Sequence, residues 1–311
     1  MDVLSDAVAA MRTGRPHSGL RNKFAPWGLR FEAASGAGFH VVLRGSAWLT
    51  PAHGEPVALA RGDVAFLPHG RGHALAGTLD APLEDVRLDE EGRWPGLPVP
   101  PPDPVPGPPP DAVTLCGAYL LDRSRAHPLL TELPEVVHLP ARAGAHGSLR
   151  AAVELLGDEL RCPRPGSDTI VSHLLDTLLV YILRAWWQGE GRDGGGHPTG
   201  WAAALADPGI AASLRAIHAD PARPWTVGEL GLRAGLSRAA FARRFTSLVG
   251  RPPLTYLTWW RMTTAGRLLR EDDTPLRLVA QRAGYTSEFA FAKAFKREFG
   301  MAPGRYRRRA S

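Results

Sequence analysis

RAGLSRAAFARRFTSLVGRPP, residues 233–253, returns as RAGYTSEFAFAKAFKREFGMAP, residues 282–303, with one extra residue near the start of its second helix. In each copy an Ala-Gly pair precedes a serine and then phenylalanines four apart. These are Phe241 and Phe245 in the first, and Phe291 and Phe295, continued by Phe299, in the second. Residues four apart share one face of a helix, so the rings mark a buried stripe and leave the opposite face polar. Gly235 and Gly284 stand where the chain must turn between helices, and Ser237 and Ser287 can cap the helices that follow. Ahead of the first copy, Thr226 and Glu229 form a capping box, with Trp225 and Leu230 placed as a hydrophobic staple. Ahead of the second, Thr274 and Pro275 supply an N-cap and a first helical residue. Helix, glycine turn and helix, twice over, predicts two helix-turn-helix units. Residues 253–270 join them as one helix, with Leu257, Met262, Ala265 and Leu269 in its core.

Charge divides along the same line. Residues 201–311 carry 19 Arg plus Lys against 8 Asp plus Glu, whereas residues 1–200 carry 18 against 23. A basic half joined to a mildly acidic one points to a polyanion partner for the C-terminal part alone. Arginine outnumbers lysine 34 to 3, which a GC-rich genome also produces, so charge by itself is a weak pointer.

The 311 residues suffice for two domains with separate cores. Cys116 and Cys162 are too few for a disulfide framework, and the N-terminus lacks the apolar core of a secretory signal. No run of about 18 apolar residues occurs, so a cytoplasmic protein without a membrane span is expected. Residues 95–110, PGLPVPPPDPVPGPPP, hold ten prolines in sixteen residues and read as an insertion within the first domain. Residues 188–200, QGEGRDGGGHPTG, read as a flexible linker, which sets the domains at 1–187 and 201–311. Before the linker, 39–50, 56–68 and 113–121 have strand character, while 148–160 and 167–187 are helical. The second helix, with Ser167 or Asp168 as N-cap, is apolar around more of its circumference than a surface helix needs. We expect a helical hairpin, 148–187, that pairs with a second copy; packing on its own β-domain is the alternative.

The repeat, the AGRLL that ends the joining helix and above all GYTSEFAFAKAFKREFGMAPGRYR (284–307) resemble the DNA-binding domain of AraC/XylS-type transcriptional regulators over residues 215–308. The resemblance implies a double-stranded operator whose successive major grooves receive the two recognition helices, about one helical turn (~34 Å) apart. On the first helix it assigns base reading to Ala239, Ala242 and Arg243, flanked by Arg238. On the second it assigns Glu288, Ala290, Ala292 and Lys293, with Ser287 nearby. Arg243 can pair with guanine; Glu288 either accepts from cytosine or balances the helix dipole. Arg244, Arg261, Lys296 and Arg297 are expected at phosphates, and Arg307–Arg309 as a basic tail. A homodimer, and contact with RNA polymerase if the chain activates transcription, are further implications.

GDVAFLPHGRGH (62–73) places Gly62, Pro68, Gly70 and His73 as in the second cupin motif, and residues 20–125 resemble a cupin-type sensor domain, a jelly-roll β-barrel. The first cupin motif would bring two further histidines and a glutamate, but the matching positions, Ala33–Ser35 and Gly38, hold no such ligands. We therefore expect no metal, no cofactor and no enzyme, but a pocket for a small-molecule effector lined by His40, Val42, Trp48, Phe66 and His73. The alternative is a metal-dependent cupin enzyme fused to a DNA-binding domain, using His40 and His73 with Cys116. The expected fold is two-domain α+β: a cupin barrel, a helical hairpin, then an all-α domain with two helix-turn-helix units.

Overall fold

The computed structural model describes residues 2–87, 108–121, 127–141, 146–190, 200–271 and 273–310. The proline-rich insertion at 95–110 lies outside the described residues save its last three, and so does most of the linker at 188–200. The described residues fall into two compact units, one β-rich and one helical.

Ten strands build the β-rich unit: β1 (His17–Lys23), β2 (Gly28–Phe31), β3 (Ala37–Arg44), β4 (Ala47–Pro51), β5 (Val57–Leu59), β6 (Val64–Leu67), β7 (His73–Ala76), β8 (Glu84–Val86), β9 (Ala112–Tyr119) and β10 (Val137–Leu139). They form two five-stranded sheets, ordered β1-β9-β3-β6-β10 and β5-β4-β7-β2-β8. Both sheets are open, which corrects the expected closed barrel. Three of the four edge strands, β5, β8 and β10, have only three residues each, and β1, the fourth, has seven but pairs only with β9 among the described residues. The sheets share a core in which Leu29, Phe31, Leu49 and Leu75 of one meet Val42, Ala65 and Cys116 of the other.

Strand alternation decides what lies on each face. On β3, His40 and Val42 turn toward the second sheet, while on the opposite side Phe39 lies across from Phe66, with the Tyr119 ring tilted against Phe39 and edge-on to Phe66. That opposite side carries the helical hairpin, α3 (Gly147–Arg161) and α4 (Ser167–Glu190). The Tyr119 hydroxyl donates to the Leu175 carbonyl at 2.9 Å, and Leu175, Leu178, Leu179, Ile182 and Leu183 are buried. One face of α4 is thus taken up by its own unit, while Val171, Leu174, Val180, Trp186 and Trp187 stay half-buried. By length and composition α4 would also suffice to cross a membrane, with a mean hydropathy of 1.3 over its best stretch. Ser167 ties the hairpin instead of simply capping α4: it accepts from Arg164 N–H and donates to the buried Glu159 carboxylate.

The helical unit contains α5 (Gly200–Ala206), α6 (Pro208–Ala219), α7 (Val227–Arg233), α8 (Arg238–Val249), α9 (Pro253–Glu271), α10 (Leu276–Arg282), α11 (Glu288–Phe299) and α12 (Pro303–Ala310). It also holds α1 (Val3–Met11) and α2 (Pro128–Thr131), which the boundary at 187 had given to the first domain. Side-chain contacts explain both. α1 buries Val3, Leu4, Val8 and Met11, and Asp6 Oδ2 lies 3.3 Å from His218 Nδ1 on α6. His127, which caps α2, stands edge-on to Trp201 and Trp259 at 4.3 and 5.0 Å. Burial holds both His127 and His218 below the ordinary histidine pKa, so both are neutral at pH 7.

Candidate nucleic-acid interface

Two short helix pairs, α7–α8 and α10–α11, share α9 as their common support. Leu257, Met262, Ala265 and Leu269 of α9 are all buried. In the first pair the Thr226 hydroxyl accepts from Glu229 N–H at 3.2 Å, and Glu229 Oε2 accepts from Thr226 N–H at 2.8 Å. The Thr226 N–H and the Thr226 hydroxyl, which donates to Glu229 Oε2 at 2.8 Å, pull the Glu229 carboxyl down to about 2 with help from Arg223. Gly235 then turns at φ 68, Ser237 caps α8 through Ala240 N–H, and Phe241 and Phe245 are fully buried.

The second pair repeats this with one departure. Gly284 turns at φ 76, Ser287 caps α11 through Ala290 N–H, and Phe291 and Phe295 are buried. α10, however, starts one residue later than expected, with Pro275 at the cap position and no side-chain cap. The Thr274 carbonyl accepts from the Arg307 guanidinium, which ties α12 down and makes of Arg307 something other than a loose tail.

The exposed faces differ from the buried ones in how closely they match expectation. Arg238, Ala239 and Arg243 are exposed on α8, with Ala242 half-buried beside them. Ser287, Glu288, Ala290 and Lys293 are exposed on α11, with Ala292 half-buried and Lys296 and Arg297 one turn further. Arg238, Arg243, Lys293 and Lys296 make no ion pair among the described residues, and Arg297 lies 3.8 Å from Glu298. Two arginines expected at phosphates are committed within the protein. Arg244 pairs with Asp207, the residue that caps α6. Arg261 donates to the carbonyls of Pro221, Ala222 and Arg223 and so holds the loop before α7. Sequence reasoning missed Phe289, which is 81% exposed at the start of α11. The available signal was its register, two residues from Phe291 and therefore off the buried stripe.

In the β-rich unit, His40, Val42 and His73 meet between the sheets, Phe66 lies on the far face of its sheet, and Trp48 points away from the shared core. His73 Nδ1 lies 3.4 Å from the Arg71 carbonyl, so it donates there and leaves Nε2 as an acceptor. In that tautomer His40 Nε2–H donates to His73 Nε2 at 2.6 Å, and the Cys116 thiol, 2.9 Å from His40 Nδ1 and 3.7 Å from the Thr114 hydroxyl, shares its one proton between them. The chain of donors is neutral throughout. Burial lowers His73 to about 4, holds His40 well below the ordinary histidine value with help from the neighbouring His73, and raises the Cys116 thiol to about 11. Because His40 uses its two nitrogens in opposite directions, the three donors run in line and do not converge. Among the described residues no trio of His, Cys, Asp or Glu could hold a metal ion. His69 is separate from this chain and donates to the Leu133 carbonyl at 2.9 Å.

Comparison with known proteins completes the picture. A cupin family model matches residues 2–188, and a helix-turn-helix domain model matches residues 230–309. An AraC-like transcription regulator of Streptomyces antibioticus is 34% identical over 309 residues, 99% of each chain. The transcriptional regulator AlkR of Acinetobacter baylyi is 30% identical over 298 residues, 91% of this chain and 92% of its own. The DNA-binding domain of AdpA, solved in complex with a target DNA, is 37% identical across 32% of this chain and 90% of its own, with a TM-score of 0.31. The chain belongs to the AraC family of DNA-binding transcription regulators, with a cupin domain ahead of its helix-turn-helix domain.

Proposed function

We propose that α8 and α11 read successive major grooves of an operator, and that a small molecule held by the cupin domain alters this binding. The observation that carries the reading is the pair of capped helices with buried phenylalanines and unpaired exposed cations, Arg238 and Arg243 on one and Lys293 and Lys296 on the other. Arg243 supplies a bidentate donor for guanine, and Lys296 and Arg297 meet phosphates. Arg244 and Arg261 act indirectly, by holding α8 and the α7 entry in place. Phe289 offers an apolar surface to a thymine methyl. Operators selected from random duplexes test this: replacing the contacted thymine by deoxyuridine should cost the wild type roughly 0.8 kcal/mol, the value of one buried methyl group, and Phe289→Ala nothing. Equal sensitivity of both proteins would remove Phe289 from the interface.

The effector would act by binding the two DNA-affinity states unequally. The exposed Leu155 and Ile170 on the hairpin mark where a second copy would pair, and an activator would further engage RNA polymerase, in the cytoplasm beside its operator. We read the chain as a regulator and not an enzyme, because the His40–His73–Cys116 chain is neutral and in line and its full-length relatives carry regulator names. Footprinting with and without salt tests the whole reading. Protection at no particular sequence, with the salt slope of random DNA, would overturn it.

A further inference from the structure

We propose that the cupin domain binds a small monocarboxylate with an apolar body in a cleft between α3 and the β6–β10 end of the first sheet, outside the core between the sheets. The cleft has a volume of about 370 Å³. At about 30 Å³ per atom, that is room for roughly a dozen non-hydrogen atoms. Its floor is apolar, formed by Val64, Leu139, Leu149 and Val153. Its rim is cationic, with Arg61 from the β5–β6 turn and Arg150 and Arg161 from α3. Arg161 pairs with Asp158, but Arg61 and Arg150 make no ion pair among the described residues. Among the described residues Glu154 is the one acid lining the cleft, so the rim they form is net positive.

The rim is built before any ligand arrives. Gly62, at φ 89, packs so closely that a Cβ there would come within 2.7 Å of Ala141 Cβ. Asp63, buried at 6% exposure, accepts from Ala141 N–H at 2.8 Å, from Ala60 N–H at 3.0 Å and from His138 Nε2–H at 3.0 Å. Together they fasten the turn that carries Arg61 to the end of β10. α3 opens with no acid in its first turn and no side-chain cap from His146, which adds to the positive field. A purely polar anion would make nothing of the floor, and an apolar neutral molecule nothing of the rim. A carboxylate on an apolar body uses both, through charge-assisted hydrogen bonds and burial.

The consequence for DNA binding rests on the sensor reading above; the binding itself does not. Isothermal titration calorimetry of the full chain with octanoate and 3-phenylpropanoate tests the cleft, with 1-octanol as the neutral comparison. We expect saturable binding of at least one acid at one site per chain, and at least roughly tenfold weaker binding of the alcohol. Arg61→Gln combined with Arg150→Gln should weaken the acid roughly tenfold or more at an unchanged melting temperature, since both side chains are exposed. Val153→Trp, which fills the floor, should abolish binding. No saturable binding of either acid, alcohol binding as tight as acid, or an arginine double variant that binds like wild type would overturn the cleft. Acid binding that leaves operator mobility shifts unchanged would keep the cleft and overturn the sensor reading. An acid effect on operator affinity that the double variant retains would do the reverse.

Discussion

The second helices of the two helix-turn-helix units, α8 and α11, are alike on the side that faces the protein and unlike on the side that faces away. Each buries a phenylalanine pair four residues apart and starts at a serine cap. Outward, α8 shows Arg238 and Arg243 with two alanines, whereas α11 shows Glu288, Phe289 and Lys293. The entry helices differ as well: α7 has a full capping box, and α10 has a proline and no side-chain cap. What repeats is what the core demands of any helix-turn-helix; what differs is free to specify sequence. Under the proposed function, the duplicated fold would present two distinct readers.

The largest test of the shared side is removal of a ring. Phe245→Ala and Phe295→Ala should each cost about 3–5 kcal/mol in denaturant unfolding, with the loss centred on the respective copy. Equal, small effects at both sites would mean that the rings do not carry the two cores. On the unlike side, Arg243→Ala should cost roughly 1–3 kcal/mol of operator affinity and relax the preference at a single base position, as read by binding to single-base operator variants. A uniform loss across all sequences would reassign Arg243 to phosphate. The entry helices give a smaller contrast. Thr226→Ala should destabilise by about 1 kcal/mol, while Thr274→Ala, whose side chain caps nothing, should stay within about 0.5 kcal/mol.

Acid sharpens the same contrast further. The Glu229 carboxyl is held at about 2 by the Thr226 N–H and hydroxyl and by Arg223, against an ordinary value of 4.5. A carboxyl lowered in the folded state contributes fully above 4.5, and its contribution is lost as pH falls toward about 2. Amide exchange at α7 should therefore rise as pH drops through that window relative to α10, and Glu229→Gln should remove the difference. A matching rise at α10 would mean that the cap plays no part.

Much of this was legible in the sequence because a helical repeat is a local signal. Four-residue spacing of phenylalanines, an Ala-Gly turn and a serine cap are each read within one turn of chain. The membership of α1 was not legible, since Asp6 meets His218 across 212 residues and no local pattern encodes that pairing. Arg244 and Arg261 looked like phosphate ligands because composition shows a charge but not the Asp207 or loop carbonyls that occupy it. In the β-rich unit, His40, His73 and Cys116 were already grouped in the sequence as an alternative metal site; what the sequence did not show is that the pairing of β3 with β9 sets His40 between the other two, in a line and not around a centre. Closure into a barrel was expected from the motif, but among the described residues the edges β1, β5, β8 and β10 stay unpaired across the two sheets, three of them only three residues long, and no motif describes those edges.

Under the proposed function α8 and α11 are separate readers. Hydroxyl-radical footprinting of a selected operator with the wild type, Arg243→Ala and Lys293→Ala tests it most directly. The account predicts two protected patches on one face of the duplex, about one helical turn (~34 Å) apart, with Arg243→Ala fading one and Lys293→Ala the other. Both variants fading the same patch, or both fading the two equally, would contradict it.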